Sequence, residues 1–298
     1  MGKPGPALKA ATLALLVVIW GTTWAAVRIS LRGFPPFTGV ALRFIVAAVF
    51  LVVIARAMGT PLAAVNNRDR WLRVVHALLT FCVSYGIVFW TEQWVPSGLA
   101  AVLFATFPLI VAVMAHFALP GERMTAQVMV GTALGFAGIV AIFAEDFDLL
   151  GGRKVMVAAL VMLVSPFVAA ISTVAYKKWG QGIRPVAFNA VAIIYASAIM
   201  GVVAAITERP GTIVFDRWPV VAVLYMAVAG TAITFPLYFW LLEYMPARQV
   251  ALIGYGTPVV ALFLGVLFLD ETLTAQTLLG SAMVVTGVAV ASRTLRRR

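Results

Sequence analysis

Apolar stretches of about 20 residues alternate along the whole chain with short segments that hold most of the charged residues. A helix rises about 1.5 Å per residue, so about 20 residues cross the roughly 30 Å of hydrocarbon in a bilayer. The pattern predicts ten such helices, the first over about residues 8–30 and the last over about residues 275–292. The predicted fold class is therefore an all-α integral membrane protein with ten transmembrane helices.

The composition agrees with this class. Hydrophobic residues make up 63% of the chain and charged residues 11%, and the mean hydropathy is +1.03. A soluble protein carries about 25% charged residues. The lipid bilayer is thus the first partner that the sequence predicts.

Lysine and arginine positions predict the orientation in the membrane. If both termini are cytoplasmic, 15 of the 22 Lys and Arg residues fall inside, six fall outside, and Arg43 lies within a span. This excess follows the positive-inside rule and predicts a multi-pass protein of the cell inner membrane with cytoplasmic termini. Because the cations are spread over the loop ends, the net charge of +11 indicates topology, and no nucleic-acid partner is expected.

One motif occurs twice. Residues 122–138 and 271–287 share a Glu, a Thr-Ala-Gln triplet and two Gly residues in register, at an offset of 149. Upstream of a one-residue gap, the matches are Phe89 with Phe239, Trp90 with Trp240, Pro96 with Pro246, and Pro108 with Pro258. The echo predicts two units, residues 1–150 and 151–298, each with five helices.

The repeated motif also has a local interpretation. Thr125 and Thr274 are predicted to cap the helices that follow them, because a hydroxyl accepts from free N–H groups. Glu122 and Glu271 precede those helices, where the helix dipole favours a carboxylate. The glycine spacing predicts close helix packing in lipid.

Five spans in each unit have a consequence for architecture. An odd number requires the second unit to enter the membrane upside down relative to the first. Inverted repeats of this kind are typical of secondary transporters, whose substrate site lies near the midplane between the halves.

Arg43 is the first candidate for that site. It lies seven residues beyond Pro36, which is roughly 10 Å into the membrane, and a charge at this depth is costly and usually functional. The alternatives are snorkelling to the interface or capping the carbonyls of a neighbouring helix. Aromatic residues from other spans complete the predicted substrate pocket: Trp20, Arg43, Tyr85, Phe107, Tyr195 and Tyr255. The alternative for these rings is that they fill space between helices.

Aromatic pairs and prolines predict moving parts. Inversion would place Phe89 and Trp90 at one mouth of the path, and Phe239 and Trp240 at the other, as two gates. Prolines within spans free a carbonyl and bend the helix. The predicted kinks are at Pro108, Pro166, Pro236 and Pro258.

Other chemistry has no residues to support it. His76 and His116 lie near predicted span ends, where interfacial histidines are expected, and with Cys82 they have no metal-ligand spacing. Nucleotide-binding and hydrolase motifs are absent from the sequence. No catalytic residue, metal or cofactor is therefore predicted, and the chain is not expected to be an enzyme. No acid lies deep inside a predicted span, so proton coupling has no evident carrier.

The chain resembles ten-span, EamA-type members of the drug/metabolite transporter superfamily. The resemblance rests on Trp-Gly-Thr at 20–22, on Pro36 followed by Arg43, and on the doubled Glu and Thr-Ala-Gln motif. It implies two inverted five-helix repeats and export of small metabolites. Within the family the aromatic core is most similar to bacterial exporters of aromatic amino acids. The first span lacks the glutamate of the small four-span multidrug members, which places their proton exchange in doubt here.

Three functions follow as hypotheses. The first is a secondary transporter that exports amino acids, aromatic or large neutral ones, by alternating access. The second is a broad exporter of drugs or cationic compounds with the same fold. The third is a membrane enzyme or receptor without transport. The expected partner is a small-molecule substrate, and the sequence leaves open whether the protein is a monomer or a homo-oligomer.

Overall fold

The computed structural model describes residues 4–122, 124–143, 152–251, 253–271 and 274–292. Helices make up most of this part of the chain: α1 Pro6–Ser30, α2 Pro36–Ala57, α3 Asn67–Thr91, α4 Ser97–Ala118, α5 Ala126–Phe143, α6 Arg153–Trp179, α7 Pro185–Thr207, α8 Arg217–Tyr244, α9 Ala247–Val250, α10 Ile253–Phe268 and α11 Ala275–Ser292. A 3-10 turn, Pro210–Thr212, lies between α7 and α8.

Seven of these helices, α1 to α4 and α6 to α8, are long and apolar enough to cross a membrane. Two shorter apolar segments, Ala126–Ile142 and Gly256–Phe268, lie in α5 and α10. The described chain is thus that of an all-helical, multi-pass membrane protein, as predicted. The finer prediction of ten spans in two inverted repeats stays a prediction.

The N-terminus of α2 is fixed from two sides. Pro36 is its first residue, where a locked φ suits a helix start and the missing N–H is not needed. The carboxylate of Glu208, just after α7, accepts from the N–H groups of Phe37 and Thr38 at 2.7 and 2.8 Å. These contacts hold the helix that carries Arg43.

Two helices change their winding midway. The segment Ala77–Ser84 of α3 and the segment Val228–Ile233 of α8 are π-helical. Such segments shift the hydrogen-bond ladder by one residue and often accompany functional sites.

The four prolines predicted as kinks lie close to irregularities. Pro108 follows a break at residues 105–106 in α4, and Pro166 follows a break at residue 163 in α6. Pro236 comes just after the π segment of α8. Pro258 lies inside α10, shortly after its separation from α9.

The two helices that carry the repeated motif, α5 and α11, pack against each other. A Cβ atom added to Gly138 would lie 2.6 Å from the carbonyl oxygen of Gly280, and one added to Gly287 would lie 2.5 Å from that of Gly131. Only glycine permits this approach, which confirms the prediction of close packing. The predicted threonine caps are also confirmed: Thr274 accepts from the N–H of Thr277 at 3.1 Å, and Thr125 likewise caps α5.

The two motif glutamates cap helices other than the ones that they precede. Glu122 accepts hydrogen bonds from the first two N–H groups of α9, at 2.9 and 3.3 Å, and not from α5. Glu271 accepts from the first two N–H groups of α4, at 2.7 and 3.1 Å, and not from α11. The reason is that α4 and α9 begin after Pro96 and Pro246, which offer no side-chain acceptor, whereas α5 and α11 have threonines. Each half therefore caps a helix of the other half.

Candidate functional site

A cavity of about 110 Å³ lies inside the bundle, between α1, α2, α3, α4, α6, α8 and α10. One water needs about 10–15 Å³ of such space, so this cavity has room for a small molecule. Helices from both halves of the chain form its walls. Most of the surface that it presents is apolar.

Four of the six predicted pocket residues line this cavity: Trp20, Arg43, Tyr85 and Phe107. Tyr195 does not, and its assignment is corrected. It is 41% exposed on the outer face of α7, because α7 packs against α2 through the face that carries Ile193 and Ala196. Tyr255 belongs to α10, but its side chain lies outside the described part of the structure.

Arg43 reaches from α2 to the π segment of α8. Its Nε donates to the Thr231 hydroxyl at 2.8 Å, and its Nη2 donates to the Gly230 carbonyl at 3.0 Å. The guanidinium carbon lies 4.7 Å from the centroid of the Tyr85 ring, within cation–π distance. Its Nη1 contacts only the sulfur of Met226, at 3.6 Å, which is a weak acceptor.

This geometry decides between the alternatives for Arg43. The side chain is 1% exposed, so it does not snorkel to an interface. It caps a carbonyl of a neighbouring helix and at the same time lines the cavity. A guanidinium has five N–H groups; Thr231, Gly230 and Met226 accept from three of them, and the Tyr85 hydroxyl is a further side-chain partner.

Aromatic rings in the cavity wall are held by their polar ends. The Trp20 indole donates to the Thr234 hydroxyl at 3.0 Å, and its ring centroid lies 5.4 Å from that of Tyr238. The Tyr238 hydroxyl is 3.2 Å from that of Thr173. These contacts fix the rings of α1 and α8 relative to each other and to α6.

His76 is a lining residue that the sequence reasoning missed. It is 2% exposed, and its Nδ1 lies 2.9 Å from the hydroxyl of Ser172, while its Nε2 makes no hydrogen bond with a described residue. The interfacial location expected for it is wrong, because α3 begins nine residues earlier and His76 is already inside the bundle. A polar stripe at helical spacing, with Thr80 and Ser84, was the available signal.

Among the four predicted gate residues, only Phe239 lines the cavity. Its ring centroid lies 4.7 Å from His76, 4.4 Å from Tyr176 and 5.2 Å from Phe188. Two members of this aromatic cluster, His76 and Phe239, line the cavity. Phe89 is fully buried at the other end of the bundle.

Trp90 and Trp240 occupy matching places. Both are half-buried, and each packs against an aromatic ring one helical turn later. The ring centroids are 4.8 Å apart for Trp90 and Trp94, and 5.5 Å apart for Trp240 and Tyr244. Neither tryptophan touches the cavity in this structure.

Glu92 is the second residue that the sequence reasoning missed. It directly follows the span Asn67–Thr91, is 0% exposed, and neither carboxylate oxygen has a hydrogen-bond partner among the described residues. Arg28 donates to its backbone carbonyl instead. Burial raises the pKa of the Glu92 carboxyl well above its ordinary value, and nearby Glu271 raises it further, whereas Arg28 and Arg43 lower it. The acid could not be recognised from its position at the end of a span, because its burial depends on other helices.

Metal chemistry has no support in the described residues, where no group of three His, Cys, Asp or Glu side chains could hold an ion. Cys82 is a free thiol.

The model of the EamA-like transporter family matches this chain twice, over residues 8–144 and 156–293. The chain belongs to this family. The protein is accordingly a membrane transporter, and its family implies small-molecule substrates. The two matches cover nearly all of the described residues, including every helix that lines the cavity.

Several EamA-family relatives match along most of their length. The uncharacterized transporter YoaV of Bacillus subtilis is 27% identical, over 95% of this chain and 96% of its own. The uncharacterized inner membrane transporter YedA of Escherichia coli is 29% identical, over 93% and 88%. A probable amino-acid metabolite efflux pump of Escherichia coli is 24% identical, over 94% and 93%.

A solved crystal structure shares the fold. It aligns with a TM-score of 0.74 at 20% identity and covers 97% of this chain and 99% of its own.

Proposed function

We propose that this transporter exports aromatic or large neutral amino acids and related small metabolites across the cell inner membrane, by alternating access and without ATP. The observation that carries the proposal is a buried arginine in the wall of a ring-lined cavity, with one nitrogen against a weakly accepting sulfur. One relative, the Escherichia coli protein described above, is named as a probable amino-acid metabolite efflux pump.

Arg43 supplies the contact for the amino-acid carboxylate. The partners of its five N–H groups are Thr231, Gly230, the weakly accepting sulfur of Met226 and the Tyr85 hydroxyl. A carboxylate that binds there exchanges a weak contact with sulfur for a charge-assisted hydrogen bond. The guanidinium is held in place by Thr231 and Gly230, so the substrate need not order it.

The rings supply selectivity. Trp20, Tyr85 and Phe107 come from three helices and face the same cavity. An aromatic side chain that packs against such rings gains about 0.5–1.5 kcal/mol per pair beyond the burial of area. A small polar side chain such as that of threonine gains little from these walls.

The transport cycle that we propose uses two inverted five-helix repeats, residues 1–150 and 151–298, with both termini in the cytoplasm. Three features support it: the π segments in α3 and α8, the reciprocal caps by Glu122 and Glu271, and the packing of α5 against α11. Rocking of one repeat against the other would open one mouth and close the other. Phe89 with Trp90, and Phe239 with Trp240, are the proposed gates.

Flux into proteoliposomes tests the substrate. We expect labelled phenylalanine and tryptophan to be transported in preference to threonine, serine and a quaternary ammonium dye in the same vesicles. Preference for serine or threonine would mean that the rings only pack the interior, and the substrate assignment would be wrong.

A broad exporter of cationic compounds is the alternative function. The residues that the structure places around the cavity include no carboxylate, and Arg43 would repel a cation. Preference for the quaternary ammonium dye in the same assay would nevertheless move the assignment to this function.

A further inference from the structure

We propose that Glu92 is a proton-binding site that couples export to the proton gradient. The proposal rests on the proposed export function and adds the source of its driving force. One proton would enter the cell for each amino acid that leaves, and the carboxylate of Glu92 would carry it by forming and breaking one O–H bond.

The first support is the surroundings of the carboxylate. Both oxygens of Glu92 are buried and have no hydrogen-bond partner among the described residues. A carboxylate that is buried without partners loses its hydration, so the neutral, protonated form is favoured. By contrast, the carboxylate of Glu271 nearby accepts hydrogen bonds from two N–H groups of α4.

The second support is the corresponding place in the other half of the chain. The offset of 150 that relates Pro96 to Pro246 relates Glu92 to Leu242. Leu242 is 1% exposed, and Lys177 donates to its backbone carbonyl at 2.5 Å, as Arg28 does to that of Glu92. An apolar residue therefore packs well at this position of the fold, and packing alone does not explain why the first half has Glu92 there.

The third support is the location of Glu92 relative to the cavity. Residues four and seven positions apart share a helix face, so Glu92 continues the face on which Val88 and Tyr85 line the cavity. It lies roughly 6 Å beyond Val88 along the helix axis. Residues of this face thus connect the acid to the proposed substrate site.

Charged neighbours set the sign of the coupling. Arg28 from α1 and Arg43 from α2 favour the ionised form of Glu92, and Glu271 ahead of α11 opposes it. The contacts of α6 with α3 nearby come from uncharged side chains such as Met162 and Ser165.

An ammonium group that enters the cavity also favours ionised Glu92, because opposite charges attract. A proton and the substrate ammonium therefore weaken each other's binding, and by linkage the effect is reciprocal. This mutual exclusion is what proton-for-substrate exchange requires. The protonated site would empty toward the cytoplasm before the amino acid binds.

Infrared spectroscopy of the purified transporter in lipid tests the proton site without any substrate. We expect a C=O band of a protonated carboxyl that persists above the pH at which an ordinary glutamate ionises, disappears as the pH rises further, and is absent from Glu92→Gln and Glu92→Leu. Asp216→Asn, which changes an exposed, hydrogen-bonded carboxylate at the start of α8, should keep the band. An unchanged band in both Glu92 variants, or none in the wild type, would overturn the proposal.

Vesicle flux tests the coupling. At zero membrane potential, one proton per amino acid lets a gradient of one pH unit support a roughly tenfold ratio of labelled phenylalanine. We expect this ratio for the wild type and Asp216→Asn, and a ratio of about one for Glu92→Gln under the same conditions. Accumulation driven by a sodium gradient instead, or by the pH gradient in Glu92→Gln, would contradict the proposal.

The two assays separate the two claims. If the wild type does not transport phenylalanine at all, the proposed substrate is wrong, and the infrared band still decides whether Glu92 binds a proton. If phenylalanine moves but ignores the pH gradient, the substrate stands and the coupling is wrong.

Discussion

The ends of α3 and α8 repeat the same structure with different chemistry. Each helix has a π segment followed by a Phe-Trp pair, and each has a cation from another helix on a backbone carbonyl near its end. Each is followed by a helix whose start is capped by a glutamate from the opposite half. The buried residue four positions before the proline is Glu92 in one case and Leu242 in the other.

A second pair of matching positions also has a charged residue in the first half and an apolar residue in the second half. Pro36 and Pro185 begin α2 and α7, and the residue seven positions later is Arg43 in α2 but Ala192 in α7. Both are fully buried. The helix starts are therefore alike at these positions, whereas the buried charges at them, Arg43 and Glu92, both lie in the first half. A buried charge in one half is a candidate for function when the matching residue of the other half is apolar, because the fold does not require a charge at that position.

The largest expected effect comes from Arg43→Ala, which makes α2 like α7 at this position. It removes the proposed carboxylate contact and the donor to the Thr231 hydroxyl, and it leaves the Gly230 carbonyl with only the Trp20 indole as donor, at 3.3 Å, among the described residues. Hydrogen bonds to charged groups contribute about 1.5–3 kcal/mol each, so we expect phenylalanine flux to fall by about a hundredfold. Arg43→Lys keeps the charge but not the planar fork, and it should also lose flux. Normal flux from a well-expressed Arg43→Ala would show that Arg43 only holds α8.

The next effect sharpens the comparison of helix ends. Glu92→Leu reproduces the arrangement at Leu242, so the variant should fold, and thermal unfolding in detergent should show no loss of stability. Leu242→Glu places an unpaired acid in the other half, and it should lower the free energy of unfolding by about 1–3 kcal/mol. Equal unfolding temperatures for the two variants would contradict the interpretation of these sites.

The stability of the wild type should also depend on pH through Glu92. Because the pKa of this carboxyl is raised in the folded protein, the native state binds more protons than the unfolded state above the ordinary pKa of a glutamate. The free energy of unfolding therefore falls as the pH rises from the ordinary pKa of a glutamate to the raised pKa of Glu92. The difference in unfolding temperature between Glu92→Leu and the wild type should grow with pH, and a constant difference would speak against a raised pKa.

A smaller effect separates the two caps. Glu122→Ala and Glu271→Ala each remove two hydrogen bonds at a helix start. Each substitution should lower the free energy of unfolding by about 0.5–2 kcal/mol. Only Glu271→Ala should shift the titration of Glu92, and toward lower pH, because Glu271 raises the pKa of Glu92. Infrared titration of both variants checks this, and an equal shift in both would contradict it.

The smallest effect is expected at the proposed gates. Trp90→Ala and Trp240→Ala each lose one ring pair, worth about 0.5–1.5 kcal/mol. Flux should fall several-fold in both while folding is kept. Wild-type flux from both variants would remove the gate assignment.

Local patterns in the sequence predicted much of this architecture. The apolar stretches gave the helical membrane class, and the repeated glycines gave the packing of α5 against α11. Arg43 could be singled out because a charge in an apolar run is costly wherever the helix faces. These features depend on residues close together in the chain.

The remaining features depend on neighbours that are distant in the chain. Nothing near Tyr195 shows which face of α7 meets α2, and the partners of Glu122 and Glu271 lie more than a hundred residues away. In the sequence, Glu92 looks like an ordinary acid at the end of a span. In the fold, charged residues of α1, α2 and the segment before α11 lie near it. Tertiary packing alone identifies it as unusual.

The most direct test of this account is the ratio of phenylalanine flux to serine flux in the same proteoliposomes, for the wild type and for Arg43→Lys. The account predicts a clear preference for phenylalanine in the wild type and loss of phenylalanine transport in the variant. Equal or greater serine flux in the wild type, or undiminished phenylalanine flux in Arg43→Lys, would contradict it.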